Sequence, residues 1–396
     1  MDRTILFLYT AKNRTSINAL LGALSSTPLW QKVKAVLCEQ EEEVPKVLSE
    51  IPGAKLLCFS SMTYEWRKRR AFLEGLLSDP NLSICGGGPH VTAVPEDFAL
   101  PRTVLVQGEG EEAFLALTQE FIEGHLNPQV VKAQRVDINR FPSFPYHLGF
   151  LGPIEISRGC PFGCAFCATP VLFGKKMRHR SLDSILEHVR GMMRHRKRID
   201  VRFVTPNALA YGSEDGVKPN LKAIDILLTS LRRLLGKEGR IFFGSFPSEV
   251  RPEFISEEAL ALLQETIDNR TLVIGAQSGS RRLLRLMRRG HTPEDVLSAC
   301  TMSLRRGFQV VVDFIFGCPE ETEEDFLKTV RFMQELIALG ATVRAHTFLP
   351  LPGTPWGEKK PTPLPPWGKK LLSSLAREGK LKGQWQIQEK MLSEGR

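Results

Sequence analysis

The chain has 396 residues, a formal net charge of +9, 42% hydrophobic and 24% charged residues, ordinary values for a globular protein that exclude a disordered or collagen-like chain. This length exceeds what one hydrophobic core usually organises, so two domains and a short appendage are expected. Apolar runs such as Val310 to Phe316 have strand rather than membrane length, which excludes a helical membrane span.

An apolar strand from Thr4 to Tyr9, a polar loop from Thr10 to Thr15 and a helical pattern through Leu20, Leu21 and Leu24 open the chain. The theme repeats with strands at Val33 to Cys38, Lys55 to Ser60, Leu82 to Cys85 and Thr103 to Val106. Helices are expected at Glu43 to Ile51, Trp66 to Leu77 and Glu111 to Glu123. Short apolar strands alternating with helices predict an α/β domain over 1–126, a doubly wound, Rossmann-like parallel sheet. Ligands of such sheets sit outside the carboxyl ends of the strands. That singles out the loops Ser60-Ser61-Met62-Thr63, Gly86-Gly87-Gly88-Pro89-His90 and Gly108-Glu109-Gly110-Glu111.

Residues 127–150 hold Pro128, Pro142 and Pro145 without a sustained period and read as a linker. From Ile154 strands and helices alternate again: strands at 154–157, 201–204, 240–243, 271–274, 309–316 and 343–348, helices at 182–194, 221–235, 257–264, 294–305 and 323–339. Six such units over 151–352 predict a partial (β/α)6 barrel with its chemistry at the strand C-terminal ends. Residues 353–396 form a C-terminal extension, rich in proline and lysine, with a helix near Leu371 to Glu378 and no legible chemistry.

The first strand of this second region leads into Ser157-Arg158-Gly159-Cys160-Pro161-Phe162-Gly163-Cys164-Ala165-Phe166-Cys167, a C-x3-C-x2-C loop. Thiolates so spaced can each reach one iron of a [4Fe–4S] cubane and leave the fourth iron open to a chelating ligand. Gly159 and Gly163 allow the tight backbone that wraps an inorganic core. A structural zinc site wants four protein ligands, and no paired Cys or His lies close in sequence. Buried, unreactive thiols are the other alternative.

The loop Cys160 to Cys167, with Phe166 before the last cysteine, resembles the signature of the radical S-adenosylmethionine (SAM) superfamily, and the likeness extends from about Ile154 to Trp356. It implies that SAM chelates the open iron and is cleaved to a 5′-deoxyadenosyl radical, with an electron donor such as ferredoxin or flavodoxin as partner. It also implies SAM contacts from Asn207 after the second strand and from Ser245, Glu249 and Arg251 after the third. Gln277 and Ser278 after the fourth strand and Gly317 after the fifth complete that set. The usual Gly-Gly-Glu is absent near Asn207. Gln277 and Ser278 can equally cap the next helix, and Glu321-Thr322 can mark a helix start.

The glycine-rich loops of the first domain resemble those of the cobalamin-binding radical SAM proteins. The resemblance implies cobalamin contacts from Ser61, Thr63, Gly87, Gly88, His90, Gly108 and Glu109. No Asp-x-His-x-x-Gly occurs in this domain, so cobalt without a histidine from the protein is expected; His90 can instead satisfy a loop carbonyl.

The expected activity is cobalamin-dependent methyl transfer to an unactivated carbon of a small-molecule or peptide substrate, with rearrangement or cyclisation using the same visible parts. Gln277-Ser278-Gly279-Ser280 and Met287-Arg288-Arg289 also look like methylthiotransferases acting on RNA or protein, where Cys38, Cys58 and Cys85 would bind a second cluster. These three cysteines end strands, so buried structural thiols are the plainer reading. A cofactor carrier, a third alternative, would not need a SAM pocket. Basic residues cluster only at Arg67 to Arg70, Arg194 to Arg198 and Arg288-Arg289, as on solvated helix faces, so nucleic acid is not an expected partner. The sequence opens without the features of a secretory leader, and a cytoplasmic location is expected.

Overall fold

Strongly apolar five- to seven-residue runs that are buried on both sides pair most readily as a parallel sheet covered by helices. The computed structural model describes residues 3–394 and divides the chain into two compact units, residues 1–152 with 190–195, and 153–189 with 196–396. In the first, β1 (Arg3–Leu8), β2 (Lys34–Cys38), β3 (Ala54–Ser60), β4 (Leu82–Gly87), β5 (Thr103–Gln107) and β6 (Gln129–Lys132) form one sheet in the order β2-β1-β3-β4-β5-β6. Every pairing is parallel.

The strand period of two sends alternate residues to opposite faces. Ile5, Phe7, Leu56, Cys58, Cys85 and Val104 pack with Leu21, Leu24, Phe114 and Phe121, which belong to the helices Arg14–Ser25 and Gly110–Glu123. Leu6, Leu8, Cys38, Leu57, Phe59 and Ile84 pack with Val44, Leu48 and Leu73 on the other face. Each wholly buried Leu or Phe contributes roughly 2–3 kcal/mol.

The stretch expected to be linker differs: Gln129–Lys132 adds a sixth strand beside β5, and Val136, Ile138, Phe141 and Phe144 are buried. The strand is mostly exposed on both faces, so its sequence lacks the apolar alternation by which the others were read.

In the second unit, β7 (Ile154–Glu155) leads into a short antiparallel pair, β8 (Ser157–Arg158) with β9 (Arg178–His179). Strands β10 (Asp200–Val204) and β11 (Arg240–Phe242) continue from β7 in parallel. Then β12 (Thr271–Gln277), β13 (Gln309–Phe316) and β14 (Thr342–Thr347) form a second parallel set. The two sets are joined where Val273 N donates to Gly244 O at 2.9 Å and Val250 bridges Ile274.

The helices between these strands begin at Leu182, Leu221, Glu257, Pro293 and Glu323, and the last two open with capping boxes, Thr292 with Asp295 and Thr322 with Asp325. Thr322 is thus a helix start, as its sequence allowed. The C-terminal extension is not merely an appendage: β15 (Leu381–Gly383) pairs in parallel with β14. Thr347 Oγ1 donates to Trp385 O at 2.9 Å, and Thr347 N to Gln388 Oε1 at 2.8 Å. Among the described residues no helix is long and apolar enough to cross a membrane.

Candidate functional site

The three clustered cysteines lie in the lobe closed by β8 and β9. Gly159 has φ +92°, and a Cβ there would stand 2.3 Å from Lys176 O, so only glycine lets these two backbones meet. Cys160 N donates to Gly174 O at 3.1 Å, and Cys167 N to Cys164 O at 3.0 Å. Ala165 is held by backbone hydrogen bonds from its N to Met287 O and from Trp356 N to its own O. Phe166 packs on Leu283, Leu284, Met287, Phe348 and Trp356, which anchors the loop's C-terminal half.

Burial pushes the Cys160 thiol up; the Phe162 amide opposes this, and the neighbouring Cys167 and Cys164 sulfurs raise it further. Among the described residues, no three or more His, Cys, Asp or Glu side chains are packed as the ligands of a single metal ion. Three soft donors on a glycine-bent loop, with no fourth protein donor beside them in the sequence, fit a cubane with one open iron.

Two buried guanidinium groups line this loop. Arg289 Nη1 donates to Cys164 Sγ at 3.6 Å and Nη2 to Gly275 O at 2.7 Å. Arg251 Nη1 lies 3.9 Å from the same sulfur, its Nε donates to Glu253 Oε1 at 2.6 Å, its Nη2 donates to Arg289 O, and it stacks over Phe162 at 3.5 Å. Burial alone would raise the Glu253 carboxyl, but His291 and Arg251 hold it down to about 2. With these groups committed, Arg251 serves the cysteine loop rather than standing free for a SAM carboxylate. Arg289, in the sequence part of a basic pair and of the methylthiotransferase-like Met287-Arg288-Arg289, is reached through Arg288, whose φ is +55°.

Of the other expected SAM residues, Asn207 and Gln277 gather near this centre. Asn207 Oδ1 accepts from Arg251 N at 3.3 Å, while its Nδ2 is buried without a partner. Gln277 has φ +73°, and its Nε2 folds over Gly275, where a Cβ would come within 2.6 Å of it and 2.9 Å of Arg289 Nη2. Ser245 follows β11 and keeps a buried, unpartnered hydroxyl. Unmet polar atoms at strand ends, on Asn207 and Ser245, suit an incoming polar ligand.

Glu249 belongs to a different group, accepting from Arg344 Nη2 at 3.2 Å beside Asp313. Burial and then Asp313 push its carboxyl up to about 7, against Arg344. Ser278 is wholly buried and shares its hydroxyl with Thr329 Oγ1 at 2.9 Å and Ser280 N at 3.0 Å. It thus supports the Ser280 helix cap, and the capping alternative describes it. Gly317, with φ +72°, accepts from Thr362 N at 3.0 Å, and a Cβ would meet Thr362 O at 2.9 Å.

The first unit's strand order is that of flavodoxin-like sheets, whose switch point lies between β1 and β3. Asn13, which the sequence did not single out, joins those two strand ends: its Nδ2 donates to Leu8 O at 2.8 Å and to Ser60 O at 3.4 Å. Gly88 has φ +94°, and a Cβ would lie 2.3 Å from Ser60 Oγ, so the loops after β3 and β4 are pressed together. Ser61 is wholly buried, donating from N to Gly87 O and accepting from His90 N.

His90 is 2% exposed, with Nε2 at 2.9 Å from Asp97 Oδ2, Nδ1 at 3.3 Å from Thr63 Oγ1, and its ring stacked on Trp66. Both ring nitrogens are engaged, so His90 is an interior residue and not a presented cobalt ligand. Glu109 likewise turns inward and accepts from Val136 N at 3.0 Å. Gly108, with φ +97°, donates from its N to Thr92 Oγ1 at 3.1 Å. Gly87 alone of these glycines has open space, with nothing nearer its would-be Cβ than Val106 O at 3.7 Å. The open position at Gly87 leaves space for a ligand at this edge.

Cys38 packs on one face of the sheet, Cys58 and Cys85 on the other. They cannot converge on one cluster, and burial pushes the Cys38 and Cys58 thiols up. The structural-thiol reading describes all three.

Residues 154–333 match the Radical SAM superfamily. This part of the chain is a radical SAM region. It is 28% identical over 303 residues to an uncharacterized methyltransferase of Pyrococcus horikoshii, covering 69% of this chain and 62% of that one. It is 31% identical over 295 residues to a tRNA-2-methylthio-N(6)-dimethylallyladenosine synthase of Bifidobacterium adolescentis, covering 72% and 58%. The chain spans between 38% and 63% of the length of the curated relatives it matches. Among solved structures, the radical SAM methyltransferase TsrM of Kitasatospora setae, with cobalamin and a [4Fe–4S] cluster bound, superposes with TM-score 0.65 at 17% identity, covering 90% of this chain and 74% of that chain. That likeness is one of fold and takes in both units.

Proposed function

We propose that this protein is a cobalamin-dependent methyltransferase acting on an unactivated carbon of a small-molecule or peptide substrate, with ferredoxin or flavodoxin as electron donor. The observation that carries the reading is the presence, in one chain, of the cysteine lobe and a six-stranded parallel sheet whose glycine-lined C-terminal edge leaves room at Gly87. When bound, a [4Fe–4S] cluster supplies the single electron that cleaves the SAM sulfonium, and cobalamin carries the methyl group. Cys160, Cys164 and Cys167 would hold the cluster, and Asn207, Ser245 and Gln277 offer polar atoms to SAM. Ser61, Thr63, Gly87, Gly88 and Gly108 would form the floor and rim of the corrin site, with Glu109 and His90 bracing it from behind.

The methylthio-synthase relative favours a second reading, sulfur insertion into RNA or protein. That chemistry needs a second iron–sulfur cluster, and Cys38, Cys58 and Cys85 lie on opposite sheet faces. The two readings separate in the protein expressed anaerobically with hydroxocobalamin and reconstituted with iron and sulfide. About one cobalt and four irons per chain are expected; about eight irons without cobalt would replace methyl transfer by sulfur insertion.

A further inference from the structure

Iron–sulfur potentials respond to hydrogen bonds to the sulfurs, to local charge and to burial. The cysteine loop is asymmetric in all three respects. Cys164 is buried while Cys160 and Cys167 are partly exposed, and both guanidinium contacts fall on Cys164. Arg289 is 8% exposed and Arg251 4% exposed. Each is fixed by partners other than the sulfur: Arg289 by Gly275 O, Arg251 by Glu253, by Arg289 O and by the face of Phe162. Among the described residues, Glu253 is the one carboxylate that forms an ion pair with these two cations, so positive charge remains beside the sulfur.

We propose that Arg289 and Arg251, both aimed at the Cys164 sulfur, set the reduction potential of the cluster by favouring its reduced state. A cubane with three thiolates gains one negative charge on reduction. Fixed cations and N–H donors at one sulfur stabilise that extra charge in a water-poor site. The reductant loses the electron that the cluster gains, and no proton need move. Arg289 and Arg251 are positioning residues here, acting through Cys164. The inference rests on the three cysteines holding a cluster and is independent of cobalamin.

The test is a redox titration of the reconstituted full chain with dithionite, followed by the electron paramagnetic resonance of the reduced cluster, with iron and sulfide counted first. Arg289→Gln should retain four irons, yet show at least a tenfold lower ratio of reduced to oxidised cluster at a fixed potential, about 59 mV for one electron. Arg289→Lys, which keeps the charge, should fall between it and the wild type. An Arg289→Gln protein with full iron and an unchanged potential would overturn the inference.

Should that variant fail to hold iron, the unmodified sequence decides. Protein grown with guanidino-15N-arginine should show arginine nitrogen couplings to the reduced cluster by electron–nuclear double resonance. Their absence overturns the proposal. A wild-type chain that binds no iron would instead sink the cluster assignment itself.

Discussion

Glu321 has one carboxylate oxygen held by Cys318 N at 2.9 Å and the other buried without a partner. Burial pushes its carboxyl up to about 7. A group raised in the folded state stabilises the fold fully below its unfolded value, and that contribution is lost as pH rises through about 7. The rise from 4.5 to about 7 corresponds to about 3 kcal/mol at most. Glu321→Gln keeps an oxygen for Cys318 N and removes the charge. Its melting temperature should therefore exceed the wild type by a margin that grows from pH 5 to pH 8; equal margins at both pH values would mean that Glu321 is not protonated in the fold. Glu249, raised in the same window, is 37% exposed on its side chain and is present in both proteins, so it does not enter the difference.

At the scale of elements, positive φ and close approach together separate glycines that matter from those that merely occur. Gly159 combines φ +92° with a backbone oxygen 2.3 Å from its would-be Cβ, whereas Gly163 has φ +65° and meets only the flexible end of Lys175 at 3.6 Å. Gly159→Ala should lose most of its reconstituted iron, while Gly163→Ala, strained by roughly 1–2 kcal/mol, should keep it. Iron per chain after desalting reads both, and equal retention would remove the cradle argument.

The same scale explains what the sequence made legible. Strands such as Thr4 to Tyr9, buried on both faces, and Gln309 to Phe316, an apolar run buried along one face and partly along the other, were readable from their apolar sequence. Strands β6 and β15 were not, being short, polar and placed by a neighbouring edge rather than by their own pattern. The cysteine loop was readable because its ligands are local. Arg289, 125 residues from Cys164, was not, since its contact depends on how β12 and the helix after it bring Gly275 and Met287 to the loop. For His90 and Ser278 the sequence left two alternatives open for a related reason: a polar residue at a strand end is drawn inward when Asp97 or Thr329 awaits it.

At the scale of the whole molecule, the proposed cofactors belong to different units, and each should protect the elements it touches. A ligand that binds only the native form raises local as well as global stability by mass action. Residues outside the strand ends exchange at rates set by their own opening, so the effect is separable along the chain. In hydrogen exchange of the full chain, hydroxocobalamin should slow amides at the C-terminal edge of the first sheet, in 60–63, 86–90 and 107–110. Iron and sulfide should slow those of 159–177, the lobe closed by β8 and β9. The middle of β3 is already buried and paired on both sides, so it serves as the internal reference for either addition. Protection by hydroxocobalamin confined to other segments would move the corrin away from the glycine-lined edge. Protection by iron at Cys38, Cys58 and Cys85 would require the sheet to open, because those thiols face opposite cores.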